Sequence, residues 1–257
     1  PEESRQDLTS GECAVEVGSP IPLPTPHSPL SLPTMRFLRS TVGKKIVMAM
    51  TGLVWVGFVI LHVAGNLQAF VGREKLNAYS ALLHGPAAEL LWLVRVVLIV
   101  ALVLHVLMAW QLTRMAGAAR PDDYRRRAPQ VPPFPPRRIR WAGALFLAFI
   151  VFHILHFTTR DVDPGRWART VDADGRYDIY GNIVASFRIW WVTAIYLFAM
   201  ILLGLHLWHG LWSSVRSLGV ARPSPYPLRR RVAPMLAVVL WLGFSIVPIA
   251  VAAGVIK

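Results

Sequence analysis

The sequence predicts an all-α integral membrane protein built as a bundle of five transmembrane helices. Three observations carry that prediction. Apolar runs close to membrane length recur along a 257-residue chain that is 54% hydrophobic. Arginine and lysine crowd alternate connections between those runs. Each of the first four runs also holds a histidine deep inside it: His62, His105, His153 and His206.

The chain opens on a leader, residues 1–34, whose prolines and acidic side chains cannot bury enough apolar surface to order it. The leader lacks the basic start and apolar core of a signal peptide. Met35 stands immediately before the basic approach to the first span, so either Met35 is a natural start and the leader is dispensable, or the leader is an ordinary disordered tail. Residues 35–257 form the membrane domain, with spans at about 46–71, 90–115, 141–159, 189–213 and 232–256. Each run is too long for a buried strand. In lipid every backbone group must be satisfied within its own segment, so the spans are helices.

The connections differ in charge. The approach to span one carries Arg36, Arg39, Lys44 and Lys45. The proline-rich connector 116–140 carries Arg120, Arg125, Arg126, Arg127, Arg137, Arg138 and Arg140, against Asp122 and Asp123. The link between spans four and five carries Arg216, Arg222, Arg229, Arg230 and Arg231. The opposite loop, 160–188, mixes signs and holds turn signals at Pro164-Gly165 and Asp174-Gly175. This asymmetry puts the N-terminus in the cytoplasm and Lys257 outside, in a multi-pass protein of the cell inner (plasma) membrane. The net charge of +13 then reads as a topology signal and a docking surface. Nucleic acid is not the expected partner, because the arginines lie between spans. The lone Cys13 can form no internal disulfide and supports no zinc or iron–sulfur site.

An ionisable group inside a bilayer costs free energy and is usually functional. Histidine offers a neutral imidazole nitrogen, the common protein ligand of haem iron. Each histidine falls late in its helix, roughly 20–25 Å along at 1.5 Å per residue. Helices one and three run outward and helices two and four inward. His62 and His153 therefore share one depth near the outer face, and His105 and His206 another near the inner face. The bundle is expected to enclose two b-type haems held by these pairs, with the four histidines as metal ligands. Gly65, Ala101, Ala109 and Gly210 leave room for a flat macrocycle on the same faces, a pattern that ordinary helix packing also produces. His156 and His209 follow His153 and His206 by three residues and share their faces, so either member can be the ligand. A satisfied structural histidine and a proton relay are the competing uses.

Further cofactor-binding candidates lie at the helix ends. Arg95 and Arg188 can pair with a haem propionate or a quinone oxygen, or snorkel to headgroups. A quinone site is expected near the outer haem, where Gln68, Asn77, His84, Glu89 and Arg95 cluster in sequence. His84 and Glu89 can relay protons there, and Arg95 can hold a developing anion. His27, in the leader, has no expected role.

Several runs resemble the cytochrome b of the succinate dehydrogenase/fumarate reductase family. They are Val42-Gly43-Lys44-Lys45, Thr51-Gly52, His62-Val63-Ala64-Gly65-Asn66-Leu67-Gln68, and His206-Leu207-Trp208-His209-Gly210-Leu211-Trp212-Ser213 with Leu218-Gly219. The resemblance spans about 36–257 and is to the single-chain, five-helix, di-haem membrane anchor. It implies a succinate:quinone oxidoreductase whose flavoprotein and iron–sulfur subunits dock on the cytoplasmic face; whether the complexes associate into an oligomer stays open. Electrons then pass through two haem b groups to a bound quinone, expected to be menaquinone. It implies no catalytic residue and no dicarboxylate site in this chain. It favours His206 over His209, and, through the small residue Gly143, His153 over His156. It also permits a quinone site beside Ser40 and Lys44. The long loop 160–188 departs from the pattern. The alternative functions are the cytochrome b subunit of a formate dehydrogenase or hydrogenase, which shares the histidine logic but not the signatures, and a haem-free transporter.

Overall fold

The computed structural model describes residues 37–119, 136–166, 169–220 and 227–257. The leader, Met35, most of the connector arginines, Arg222 and the side chains of Arg229 and Arg230 lie outside the described residues. Every regular element among the described residues is a helix; one isolated antiparallel bridge joins Val171 to Tyr177. Five helices are long and apolar enough to cross a membrane.

Helix α1 covers Thr41–Asn66. Ser40 starts it, its hydroxyl accepting from the Gly43 amide at 2.9 Å and so satisfying a donor the first turn leaves open. After Asn66 the chain tightens into a 3₁₀ turn, Leu67–Phe70, and reverses at Gly72, whose φ of 123° suits a residue without a Cβ. Helix α2, Arg73–His84, lies outside the apolar spans and begins with Glu74 in its first turn, where the helix dipole favours an acid. Helix α3, Ala88–Ala118, returns across the bundle. Helix α4, Pro136–His153, begins on a proline, which has no amide proton to waste at a helix start. It ends in a wide π turn, Ile154–Thr158, that carries His156. Helix α5, Ile179–Phe187, is started by Asp178, whose carboxylate accepts from the Gly181 amide at 3.1 Å. Helices α6, Trp190–Ser217, and α7, Pro227–Ala252, complete the bundle.

Helix α6 is central. It packs on α7, α1 and α4, while α3 leans mainly on α1. Large apolar side chains such as Leu93, Ile99, Val103, Phe198 and Val239 remain exposed along the spans. A bilayer would cover them, so the bundle coheres through close van der Waals packing rather than escape from water. At Gly243 a Cβ would stand 2.6 Å from Val63 Cγ2, which shows how tightly α7 approaches α1. One buried cluster, including Val59, Met200, Leu207, Ala237 and Leu240, fills the middle. A second, including Leu76, Tyr180, Phe187, Val192, Tyr196 and Val251, lies beneath a cap made of α2 and α5.

The spans reach somewhat beyond the sequence expectation at most ends. The last one stops earlier, at Ala252, before the left-handed Gly254. The larger difference is the cap. Segment 160–188, read as a loop, contains the buried helix α5 and a network that ties it to α2. Asn77 is wholly buried; its amide donates to Asp178 at 2.9 Å and Asp172 at 3.1 Å, and its carbonyl accepts from the Tyr180 amide. Arg176 pairs with Glu74, Asp172 and Asp174 at 2.7–2.9 Å. The Tyr180 hydroxyl donates to the Lys257 carbonyl, fastening the C-terminus.

Candidate functional site

The four histidines of the spans meet in two pairs. His62 of α1 faces His153 of α4, with ring centres 5.8 Å apart and planes at 75°. His105 of α3 faces His206 of α6, at 6.1 Å and 61°. The second pair lies near the Ser40 end: His105 Nδ1 is 3.1 Å from the Met48 carbonyl and 3.3 Å from the Thr51 hydroxyl, early in α1. The first pair lies near the capped end. They are called proximal and distal here, relative to Ser40.

The spacing suits a shared metal. A metal–imidazole bond is about 2.0 Å, so two imidazoles on opposite faces of one ion place their ring centres about 6 Å apart. Among the described residues no group of three or more metal-ligating side chains occurs. A bare ion would lack donors at such a pair, whereas a porphyrin supplies four equatorial nitrogens and needs only two from protein. Glycines keep the proximal site open. A Cβ on Gly52 would stand 3.3 Å from His105 Cε1, and one on Gly143 would stand 3.6 Å from His206 Cε1. Three buried side-chain nitrogens, Trp55 Nε1, Asn182 Nδ2 and His206 Nδ1, have no hydrogen-bond partner among the described residues. Orphaned buried groups cost about 1–3 kcal/mol each, and of these three only His206 Nδ1 belongs to a paired histidine.

The hydrogen bonds also separate the neighbouring histidines. His156 is wholly buried, with Nδ1 at 2.9 Å from the Tyr196 hydroxyl and Nε2 at 2.9 Å from the Ser186 hydroxyl. Both ring nitrogens are engaged, so it has none to offer a metal. His153 uses only Nδ1, at 3.2 Å from Tyr196, and its ring faces His62. His209 has Nε2 at 3.3 Å from Ser213 on its own helix, while His206 faces His105. Tyr196 is held edge-on between Phe149 and Phe187, with ring centres at 5.0 and 4.9 Å. The sequence reading did not single out Tyr196 or Ser186. A tyrosine inside a span was the available signal for the first, whereas Ser186 sat in a segment read as a loop.

The helix-end candidates are dispersed. Among the described residues, His84, Arg95 and Arg188 make no hydrogen bond, ion pair or ring contact with the paired histidines. His84 is exposed and its Nδ1 lies 2.9 Å from the Ser80 carbonyl. The Arg95 guanidinium lies over the Trp92 ring at 4.9 Å. Arg188 and Glu89 are exposed. Asn77 is consumed by the cap network. Gln68 instead joins Lys75, Ala78, Tyr79 and Leu82 around a recess of about 390 Å³. The Tyr79 ring reaches back to Gly65, three residues after His62.

Outside the spans, the cap ions are strongly coupled. A hydrogen bond from Arg176 holds the Glu74 carboxyl below its ordinary pKa. Burial opposes ionisation of Asp172, but donors from the Arg176 backbone and side chain, Asn77 and the Asp174 amide outweigh it and lower its pKa. The hydrogen bond to Glu74 leads the effects that raise Arg176 above its ordinary value. No family model matches this chain, and no curated protein or solved structure matches it.

Proposed function

We propose that this chain is the di-haem cytochrome b anchor of a succinate:quinone oxidoreductase, passing electrons from an iron–sulfur partner to membrane quinone. One observation carries the haem reading: two facing histidine pairs, 5.8 and 6.1 Å between ring centres, at two depths in one bundle. The succinate:quinone reading rests on the sequence resemblance in the runs that begin at His62 and His206. When bound, haem supplies a one-electron relay at each pair. The protein's part is to present the imidazoles, exclude water with apolar helices, and set the two sites at different depths.

The charge distribution supports the orientation. The end of the bundle where α1 starts carries Arg39, Lys44, Lys45, Arg114, Arg140, Arg216 and Arg231. At the capped end Arg176 is matched by Glu74, Asp172 and Asp174. By the positive-inside rule the Ser40 end is cytoplasmic, where the basic surface would receive the flavoprotein and iron–sulfur subunits. Electrons then enter at the proximal pair and leave at the distal pair. The recess at Gln68, Lys75 and Tyr79 offers hydrogen-bond donors to the carbonyls of a quinone, for which menaquinone is the expected species.

A reduced-minus-oxidised spectrum of the purified native protein, with haem quantified per chain, tests the first half. Two b-type haems are expected, and a colourless chain overturns the reading. Co-purification with a flavoprotein and an iron–sulfur protein that together oxidise succinate tests the second half. Recovery with a formate dehydrogenase or hydrogenase catalytic subunit would replace it.

A further inference from the structure

The hydrogen bonds behind His153 form a single directed line. Ser186 Oγ donates to Asn182 Oδ1 at 3.2 Å. A serine hydroxyl has one proton, so toward His156 Nε2, at 2.9 Å, it can only accept. An uncharged His156 with its proton on Nε2 presents a bare Nδ1, which must accept from the Tyr196 hydroxyl at 2.9 Å. That spends the tyrosine proton. The Tyr196 oxygen then offers only lone pairs to His153 Nδ1 at 3.2 Å. With the Asn182 amide oxygen toward Ser186, His153 carries its proton on Nδ1 and keeps its lone pair on Nε2; the opposite amide orientation would reverse every bond of the line.

His156 and Ser186 are 0% exposed, Asn182 1% and Tyr196 5%, so water does not compete for these bonds. Three separate elements contribute: α5 supplies Asn182 and Ser186 one turn apart, the π turn supplies His156, and α6 supplies Tyr196.

We propose that Tyr196 and His156 are positioning residues for His153: the directed line Asn182–Ser186–His156–Tyr196 fixes the Nδ1–H tautomer of His153, holds its ring toward His62 and strengthens it as an electron donor to the distal haem. This rests on the haem reading above. An acceptor on the outer N–H of a ligating imidazole raises its basicity and favours the oxidised metal. Donation by the Tyr196 hydroxyl into His156 polarises its oxygen and makes it a better acceptor. Removing the acceptor should therefore raise the reduction potential of the distal haem alone.

The test is redox titration, with low-temperature electron paramagnetic resonance, of the purified complex and its variants. Tyr196→Phe should keep two haems per chain, shift the distal midpoint potential upward, alter the distal low-spin signal and leave the proximal haem unchanged. His156→Leu should shift the distal potential in the same direction by less. His156→Gln, whose amide oxygen can accept from Tyr196, should return it toward the native value. A distal potential indifferent to Tyr196→Phe, or an equal shift of both haems, overturns the proposal. So does loss of the distal haem in His156→Gln with retention in His153→Gln, which would make His156 the ligand. If Tyr196→Phe does not assemble, the two His156 variants decide: different distal potentials support the line, and equal ones overturn it. A native protein without haem overturns both this proposal and the function. A native protein with two haems and an unresponsive distal potential overturns the positioning role alone.

Discussion

Gly52 stands directly against the imidazole of His105, with room for a Cβ only 3.3 Å from Cε1. Gly143 holds the equivalent place against His206 at 3.6 Å. Each glycine precedes a histidine of the distal pair by ten residues on its own helix, Gly52 before His62 and Gly143 before His153. Ten residues are about 15 Å of helix. Helices α1 and α4 thus each supply a ligand candidate at one depth and an opening at the other. The two histidine pairs are built on a repeated spacing that the surrounding sequence does not display.

Bulk at Gly52 should therefore act on the proximal site. Gly52→Leu is expected to displace His105 and leave one haem per chain, the distal one. Gly52→Ala, which adds a single carbon at a tight contact, should retain both haems with a perturbed proximal spectrum. Haem quantification and redox titration of each variant check this. A Leu variant that retains two unaltered haems would show that the close approach has no role in haem binding.

The ligand assignment makes a separable prediction. His105→Ala or His206→Ala should remove the proximal haem, and His62→Ala or His153→Ala the distal one. His209→Ala should keep both, because its contact is a hydrogen bond to Ser213. Loss of a haem in His209→Ala with retention in His206→Ala would reverse the assignment in α6.

The proposed quinone site predicts a division of activities. Loss of the distal haem should abolish quinone reduction while succinate oxidation by an artificial dye persists. Tyr79→Phe, which removes one donor from the recess beside Gln68 and Lys75, should raise the KM for quinone by up to about tenfold, the worth of one hydrogen bond. Normal quinone reduction in a complex lacking the distal haem would move the site to the Ser40 end.

The cap should be acid-labile. Glu74 and Asp172 have depressed pKa values in the folded protein. Their stabilising contribution is fully present above the ordinary carboxylate range, about pH 4, and is lost as pH falls through the lower folded values. Arg176 stays charged throughout. Amide exchange at Asp174 and Arg176, whose N–H groups donate to Asp172 Oδ1, should be flat from about pH 7 to 5 after intrinsic correction and accelerate below about 4. In Arg176→Gln that protection should already be weak at neutral pH. Exchange independent of pH in the native protein would show that the ion pairs do not hold the segment.

Asn77→Ala should lower the thermal midpoint without loss of haem. It strands the Tyr180 amide and acceptors on Asp172 and Asp178, at about 1–3 kcal/mol for each buried group left unpaired. Differential scanning of the purified complex, with haem absorbance followed in parallel, checks both parts. An unchanged midpoint would mean that these groups find other partners.

The five spans and the four histidines inside them were legible in the sequence because both signals are local. A run of about twenty apolar residues is a helix in lipid whatever surrounds it, and an ionisable group within such a run stands out by its cost. Depth along each helix was enough to match His62 with His153 and His105 with His206, since helix rise is constant. What lay beyond local signals was decided by tertiary structure. Along α4 the choice between His153 and His156 rests only on the ten-residue spacing from Gly143; in the fold it rests on where Tyr196 of α6 and Ser186 of α5 place their hydroxyls. Asn77 looked like a quinone contact until the fold turned it onto Asp172, Asp178 and Tyr180, about a hundred residues away. Helix α5 is short and sits in a segment full of turn residues and charge. It is a helix because Asp178 starts it and because neighbouring helices bury seven of its residues. Sequence determines which segments enter the membrane and which side chains must be answered there; packing between helices determines which partner answers each one.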